Sequence, residues 1–149
     1  MDRRKFLGLS IATMALTPMA INAIDFRKEK PDAWTAKTVD DAIKALYGDI
    51  KPADSDKIKI KAPKVASNGG SIPIGVKTDI DAKSIALFQN VNPESAVIVW
   101  TVPENGIADY SVKIKMKTSG KVTVVVEGKD GKFYTASKDM EVALGGCEG

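Results

Sequence analysis

Polarity along the chain follows two periods. Between residues 38 and 48 the apolar positions recur at helical spacing, with Val39, Ala42, Ile43, Leu46 and Tyr47 on one stripe. Thr38 stands where an N-cap belongs, and Asp41, three residues on, is placed to return the capping bond. Asp40 and Asp41 suit the positive end of the helix dipole, and Gly48 supplies the stop. A helix this short is not stable alone and must bury its stripe against another element. After Pro52 the period changes to two. "KIKIKAP" at 57–63 alternates strictly, and similar runs recur at 71–78, 84–89, 96–102, 110–116, 121–128, 132–137 and 139–144. Turn material separates them: "SNGG" at 67–70, "VNPES" at 91–95, "PENG" at 103–106, Ser119-Gly120, and "KDGK" at 129–132, whose Asp130-Gly131 is a hairpin signal. Short strands spaced about ten residues apart, with no second helical pattern between them, predict an all-β antiparallel sandwich and not a βαβ sheet. Phe88 and Trp100 are the expected core anchors of its facing sheets.

A chain of 149 residues with 44% hydrophobic content suits one domain. Its parts read as a targeting segment at 1–23, a polar lead-in and helix at 24–52, the sandwich at 53–144, and a tail at 145–149. The targeting segment has a basic start, an apolar stretch from Phe6 to Leu16 and small residues before a cut after Ala23. "RRKFL" at 3–7 looks like a twin-arginine export signal, with Arg3 and Arg4 as the pair read by a translocase of folded proteins. An ordinary secretory signal that happens to hold two arginines is the alternative. Either way the mature protein is expected outside the cytoplasm, in a bacterial periplasm.

Removing that segment changes the charge. The chain carries 22 Lys+Arg and 19 Asp+Glu; without Arg3, Arg4, Lys5 and Asp2 the balance becomes 19 to 18. A mature net charge near +1 argues against nucleic acid or an anionic membrane as partner, since both call for a concentrated basic surface. Lys57, Lys59 and Lys61 read first as the wet face of a strand, or as an edge guarded against aggregation, with a basic docking patch the lesser reading.

The chain has no histidine. That removes Ser-His-Asp and Cys-His nucleophilic catalysis, histidine-ligated zinc and type 1 copper, and histidine as a general base. No GxGxxG follows a strand, and the acidic pairs Asp40-Asp41, Asp54-Asp56 and Asp79-Asp81 lack the remaining ligands of a calcium loop. No metal and no cofactor is expected, and an enzyme acting alone has little support.

One cysteine remains, Cys147 in "VALGGCEG". In an oxidising compartment a lone cysteine signals an intermolecular disulfide or a free reactive thiol. Glu148 and the carboxylate of Gly149 both disfavour its ionisation, so the thiol is accessible without being activated. Such a group makes a poor catalyst but a serviceable attachment point when another protein supplies the activation. Gly145 and Gly146 make the tail permissive and slim, and its five residues span at most about 17 Å, enough to enter a recessed cleft. An unused frayed terminus and a crosslink between chains are the competing readings.

The leader, the capped helix "TVDDAIKALYG", the segment "IKIKAPKVASNGGSIPIGV", Asn92-Pro93, the "DGKFY" hairpin and the terminal "GGCEG" together resemble the SoxY family, sulfur carriers of periplasmic thiosulfate oxidation. The resemblance covers essentially the whole chain. It implies an immunoglobulin-like sandwich with a short N-terminal helix and a flexible C-terminal tail. It also implies a heterodimer with a SoxZ-type subunit, which has no leader of its own and is exported with its partner. Cys147 would be the covalent attachment site on a swinging arm of Gly145, Gly146, Glu148 and Gly149. A haem c-type enzyme would join thiosulfate to it, a manganese-dependent hydrolase would release sulfate, and in some organisms a molybdenum enzyme would oxidise the remaining sulfane sulfur. The family tail usually ends GGCGG, and Glu148 departs from it in a way that bears on partner fit. The reading from a different class is a periplasmic interaction module whose cysteine forms an intermolecular disulfide.

Overall fold

The computed structural model describes residues 24–143. The expectations for 1–23 and for 144–149, Arg3, Arg4 and Cys147 among them, lie outside the described residues. Asp25 caps a short helix α1 (Phe26–Glu29) by accepting from the Arg27 N–H, and Pro31 opens a 3-10 helix (Pro31–Trp34). The expected longer helix is α2 (Val39–Tyr47). Thr38 Oγ1 accepts from Asp41 N at 3.1 Å, and the Thr38 hydroxyl donates to Asp41 Oδ2 at 2.7 Å. The carboxylate thus returns its bond to the threonine hydroxyl. Gly48 closes α2 at φ 84°, a conformation glycine takes at no steric cost.

Among the described residues nine strands follow: β1 (Ala53–Asp54), β2 (Ile58–Lys61), β3 (Val65–Ala66), β4 (Ile72–Thr78), β5 (Ala82–Gln89), β6 (Ala96–Thr101), β7 (Asp109–Ile114), β8 (Gly120–Gly128) and β9 (Phe133–Val142). They form a six-stranded sheet in the order β1-β9-β8-β5-β6, with β3 also on β9, and a three-stranded sheet β2-β4-β7. The main ladders are antiparallel, as the alternating runs predict, and the architecture is an all-β, immunoglobulin-like sandwich.

Ile58, Ile72, Ile74, Val76 and Ile114 from the small sheet meet Ile85, Leu87, Val122, Val124 and Val126 from the large one. The large sheet is covered on its other face too. Ala86, Phe88 and Val125 pack against Ala33, Ala42 and Leu46 of the helical segment, which is how α2 buries its stripe. The molecule therefore has three layers, helical segment, large sheet and small sheet.

Four expectations are corrected. The polar lead-in holds two short helices that belong to the outer layer. The runs at 132–137 and 139–144 are one strand, β9, because Lys138 continues the ladder opposite Val122. The sandwich is not wholly antiparallel, since β1 and β3 run parallel to β9. The aromatic anchors also differ. Phe88 is fully buried but faces the helices, and Trp100 is half-buried at the rim, stacked on Tyr110 with ring centroids 5.5 Å apart.

Candidate functional site

The end of the sandwich where β9 finishes carries the root of the expected arm. Val142 N–H donates to Ser119 Oγ at 2.8 Å, and the Ser119 hydroxyl donates to Val142 O at 3.4 Å. β3 pairs Ala66 with Val142, and Ala143 N–H donates to Ala66 O at 2.9 Å. The chain is thus held by two neighbouring segments up to its last described residue. The segments are themselves tied: Met116 N–H donates to Gly69 O at 2.8 Å, and Asn92 receives Lys117 N–H while donating to Lys115 O. Gly120 lets this end close. A Cβ there would run into Val91 Cγ1 and stand 2.6 Å from Asn90 Oδ1, the atom that accepts from Lys121 N–H.

Beside the root, Pro63, Val65, Ala66, Ser67, Asn68, Ser71 and Pro73 line a shallow cavity of about 180 Å³. Val65 is 46% exposed there, one of few large apolar side chains left open among the described residues. The site residues Gly145, Gly146, Cys147, Glu148 and Gly149 all lie beyond it, outside the described residues. The structure brings together their root and not the thiol itself.

A second cluster lies in a cleft of about 250 Å³ between α1, α2 and the large sheet. Ser84, 2% exposed, donates to Glu127 Oε2 at 2.8 Å and lies 2.9 Å from the Tyr47 hydroxyl. With its only proton committed to Glu127, Ser84 must accept from Tyr47. Lys83 Nζ completes the chain, 3.3 Å from Glu127 Oε1. Burial pushes the Tyr47 phenol well above its ordinary range, and the nearby Glu127 charge adds to the shift. Neither hydroxyl is poised for chemistry: Tyr47 holds its proton, and Ser84 is covered and has a carboxylate, not a base-and-orienter pair, beside it. The cluster fastens α2 to β5 and β8. Sequence reasoning missed it because its members lie 37 and 43 residues apart and each reads locally as part of its own element.

At the β8–β9 turn, Gly131 takes φ 79° and Asp130 Oδ1 accepts from Lys132 N–H. The Tyr134 hydroxyl donates to Asp130 Oδ2 at 2.7 Å, which holds the Asp130 carboxyl below its ordinary value and the Tyr134 phenol above its own. Asp130 is exposed in the turn, and Tyr134 is half-buried near the start of β9.

Comparison with curated proteins found no match. Among solved structures, the sulfur carrier protein SoxY from Chlorobium limicola f thiosulfatophilum is 32% identical, with a TM-score of 0.66, over 72% of this chain and 97% of that one. A superoxide reductase (neelaredoxin) from Ignicoccus hospitalis matches at 18% identity and a TM-score of 0.51, over 58% of this chain and 80% of that one, a likeness of fold alone. A family model for the sulfur oxidation protein SoxY matches residues 43–147, a span that opens inside α2, takes in both sheets and runs through Cys147. The chain belongs to the SoxY family of sulfur oxidation proteins.

Proposed function

We propose that the protein carries sulfur covalently on Cys147 during thiosulfate oxidation and is itself a substrate of partner enzymes, not a catalyst. The observation that carries this reading is that the family match extends through Cys147, in a chain 32% identical to a SoxY sulfur carrier. The root geometry supports it, because β9 is fixed at Val142 and Ala143 while the cysteine stands four residues further on, behind Gly145 and Gly146. Joining thiosulfate to the thiol forms one S–S bond, releases the thiol proton and requires removal of two electrons, which a haem c-type partner accepts. Hydrolysis of the adduct then adds water across the sulfur–sulfonate bond and releases sulfate, leaving a persulfide on Cys147. The chain has no histidine to serve either step, so both belong to partners. Export by the twin-arginine route through Arg3 and Arg4, pairing with a SoxZ-type subunit in the periplasm, and onward oxidation by a molybdenum enzyme complete the reading.

Intact-mass analysis of protein taken from its native compartment tests it. Heterogeneous sulfur adducts on Cys147 that reductant removes are the expected result. Only bare thiol and symmetric dimer, after exposure to thiosulfate and the partner enzymes, would overturn the carrier role in favour of a disulfide-forming module.

A further inference from the structure

The outer face of the small sheet gathers lysines that lie far apart in the sequence. The register sets Lys59 directly opposite Lys77, Lys61 opposite Gly75, Pro73 opposite Lys113, Gly75 opposite Ser111, and Lys77 opposite Asp109. Alternate residues of a strand share a face, and Ile58, Ile74, Val76 and Ile114 occupy the inner one. The exposed Lys59, Lys61, Lys77 and Lys113 therefore share the outer face with Pro73, Gly75, Ser111 and Asp109. Lys115, also exposed, continues the alternation past the end of β7, and exposed Lys57 stands in the turn that leads into β2. Within the three strands four lysines thus meet a single carboxylate, Asp109, while the other described residues hold 15 basic and 16 acidic side chains. The near-neutral balance conceals a separation of charge.

Folding alone does not call for this pattern. Like charges placed directly across a ladder are destabilising, and Lys59 faces Lys77. Lys77 has a carboxylate within reach, Asp109 at 3.8 Å; among the described residues Lys57, Lys59, Lys61, Lys113 and Lys115 form no salt bridge. Edge protection accounts for lysines on β2 and β7, but β4 is the central strand and Lys77 needs no such role. Between the lysines the surface is kept low by Gly75, Pro73 and Ser111. Within the three strands it displays no aromatic ring to stack a base and no large apolar side chain to enter lipid; the exposed Ile107 lies outside them, two residues before β7. The charge is also graded. Asp109 stands opposite Lys77 and Asp79 follows Lys77 by two residues, whereas Lys61, Lys113 and Lys115 lie at the end that leads into Ala66, Gly69 and Met116, the segments around the root of the arm.

We propose that this face docks the acidic surface of a partner protein and so holds that partner at the end of the sandwich from which Cys147 is presented. The inference deepens the carrier reading and rests on it only for the partner's identity as an enzyme that modifies the tail. Docking of this kind raises the rate of encounter and weakens with salt.

The test uses full-length mature protein carrying Cys147→Ser, so that no covalent step intervenes, titrated with poly-L-glutamate. Amide shifts confined to β2, β4 and β7 are expected, with affinity falling as salt rises. K59E/K61E/K113E is expected to weaken binding at least about tenfold, and the control K28E/K44E/K129E by less than about twofold. The same lysines changed to glutamine should give an intermediate loss at a urea midpoint no lower than the parent's, since Lys59 no longer repels Lys77. Equal loss in the face and control variants would overturn the proposal. So would tighter binding, at the same face, of phosphatidylglycerol vesicles or single-stranded DNA, or a tenfold gain on deleting 144–149, which would make the chain's own Glu148 segment the occupant. With Cys147 intact and a loading enzyme supplied, K59E/K61E/K113E should lower kcat/KM about tenfold at low salt with kcat unchanged. Normal loading of that variant would refute the docking face alone, whereas absence of loading in the parent would strike the carrier reading.

Discussion

Ser84→Ala is expected to destabilise the fold by about 1–3 kcal/mol, because it leaves the Tyr47 hydroxyl in a largely buried position without its acceptor. It also deprives Glu127 of a 2.8 Å donor, although Lys83 still reaches the other carboxylate oxygen at 3.3 Å. Tyr47→Phe is milder, about 0.5–1.5 kcal/mol, since it removes the donor together with its need for a partner and leaves Ser84 still bonded to Glu127. The cavity cost is small in both cases, so the hydrogen bonds dominate. The direction of donation, Tyr47 to Ser84 to Glu127, makes the two changes strongly non-additive: once Tyr47 is phenylalanine, losing Ser84 strands nothing on the helix. Urea unfolding of the parent, both single variants and the double variant gives the coupling, expected at about 1 kcal/mol or more for groups in direct contact. An additive double variant, within about 0.3 kcal/mol, would refute the chain of donors and reduce the cluster to neighbouring side chains.

Other consequences are open to measurement. Phe88→Ala, at a fully buried position between β5 and the helical layer, is expected to cost about 3–5 kcal/mol in urea and to raise protease sensitivity in 24–52 before the sheets open. Gly120→Ala should cost about 1–3 kcal/mol, because its methyl meets Val91 and Asn90; a loss below about 0.5 kcal/mol would show that the close approach is relaxed. Tyr134→Phe should alter the pH dependence of stability at both extremes. The Asp130 contribution is present above the ordinary carboxyl value of 3.8 and lost as pH falls through its lowered folded value, and the Tyr134 contribution is present below 10.0 and lost as pH rises through its raised one. The parent-minus-variant difference should therefore be flat between those values and shrink beyond them; a difference that grows at either end would contradict the bond. Gly146→Pro should leave the urea midpoint unchanged while slowing loading of Cys147 by at least one partner enzyme, and unaltered turnover would show that backbone freedom there is unimportant.

Elements with strong local signals are legible in the sequence alone. The Thr38 cap, the stripe of α2 and its Gly48 stop announce themselves within eleven residues, and the Asp130-Gly131 turn does so within four. What was hidden depends on long-range pairing. β1 and β3 are two residues each, too short for any period to show, yet both cover an edge of β9, and β3 holds the root of the arm. The layer that Phe88 faces is hidden in the sequence because β5 is buried on both faces, so its run "SIALFQ" carries no alternation to say which side is which. The basic face was invisible in net charge, because its lysines come from three strands and the compensating carboxylates from elsewhere. The chemistry of the candidate site was the reverse case: a lone cysteine and missing histidines spoke more plainly in sequence than the described residues can, since Cys147 lies beyond them.

The bond from Ala143 N–H to Ala66 O also turns the molecule into a ruler. Its zero mark is set by the sandwich, and Cys147, four residues later, can stand no more than about 14 Å from it at full extension. One residue inserted after Leu144 shifts the sulfur by about 3.5 Å, a bond length or more past any atom poised to attack it, without touching a single docking contact. Tail length and surface charge are then separate coordinates: one sets how deep the cargo is offered, the other which protein is there to receive it.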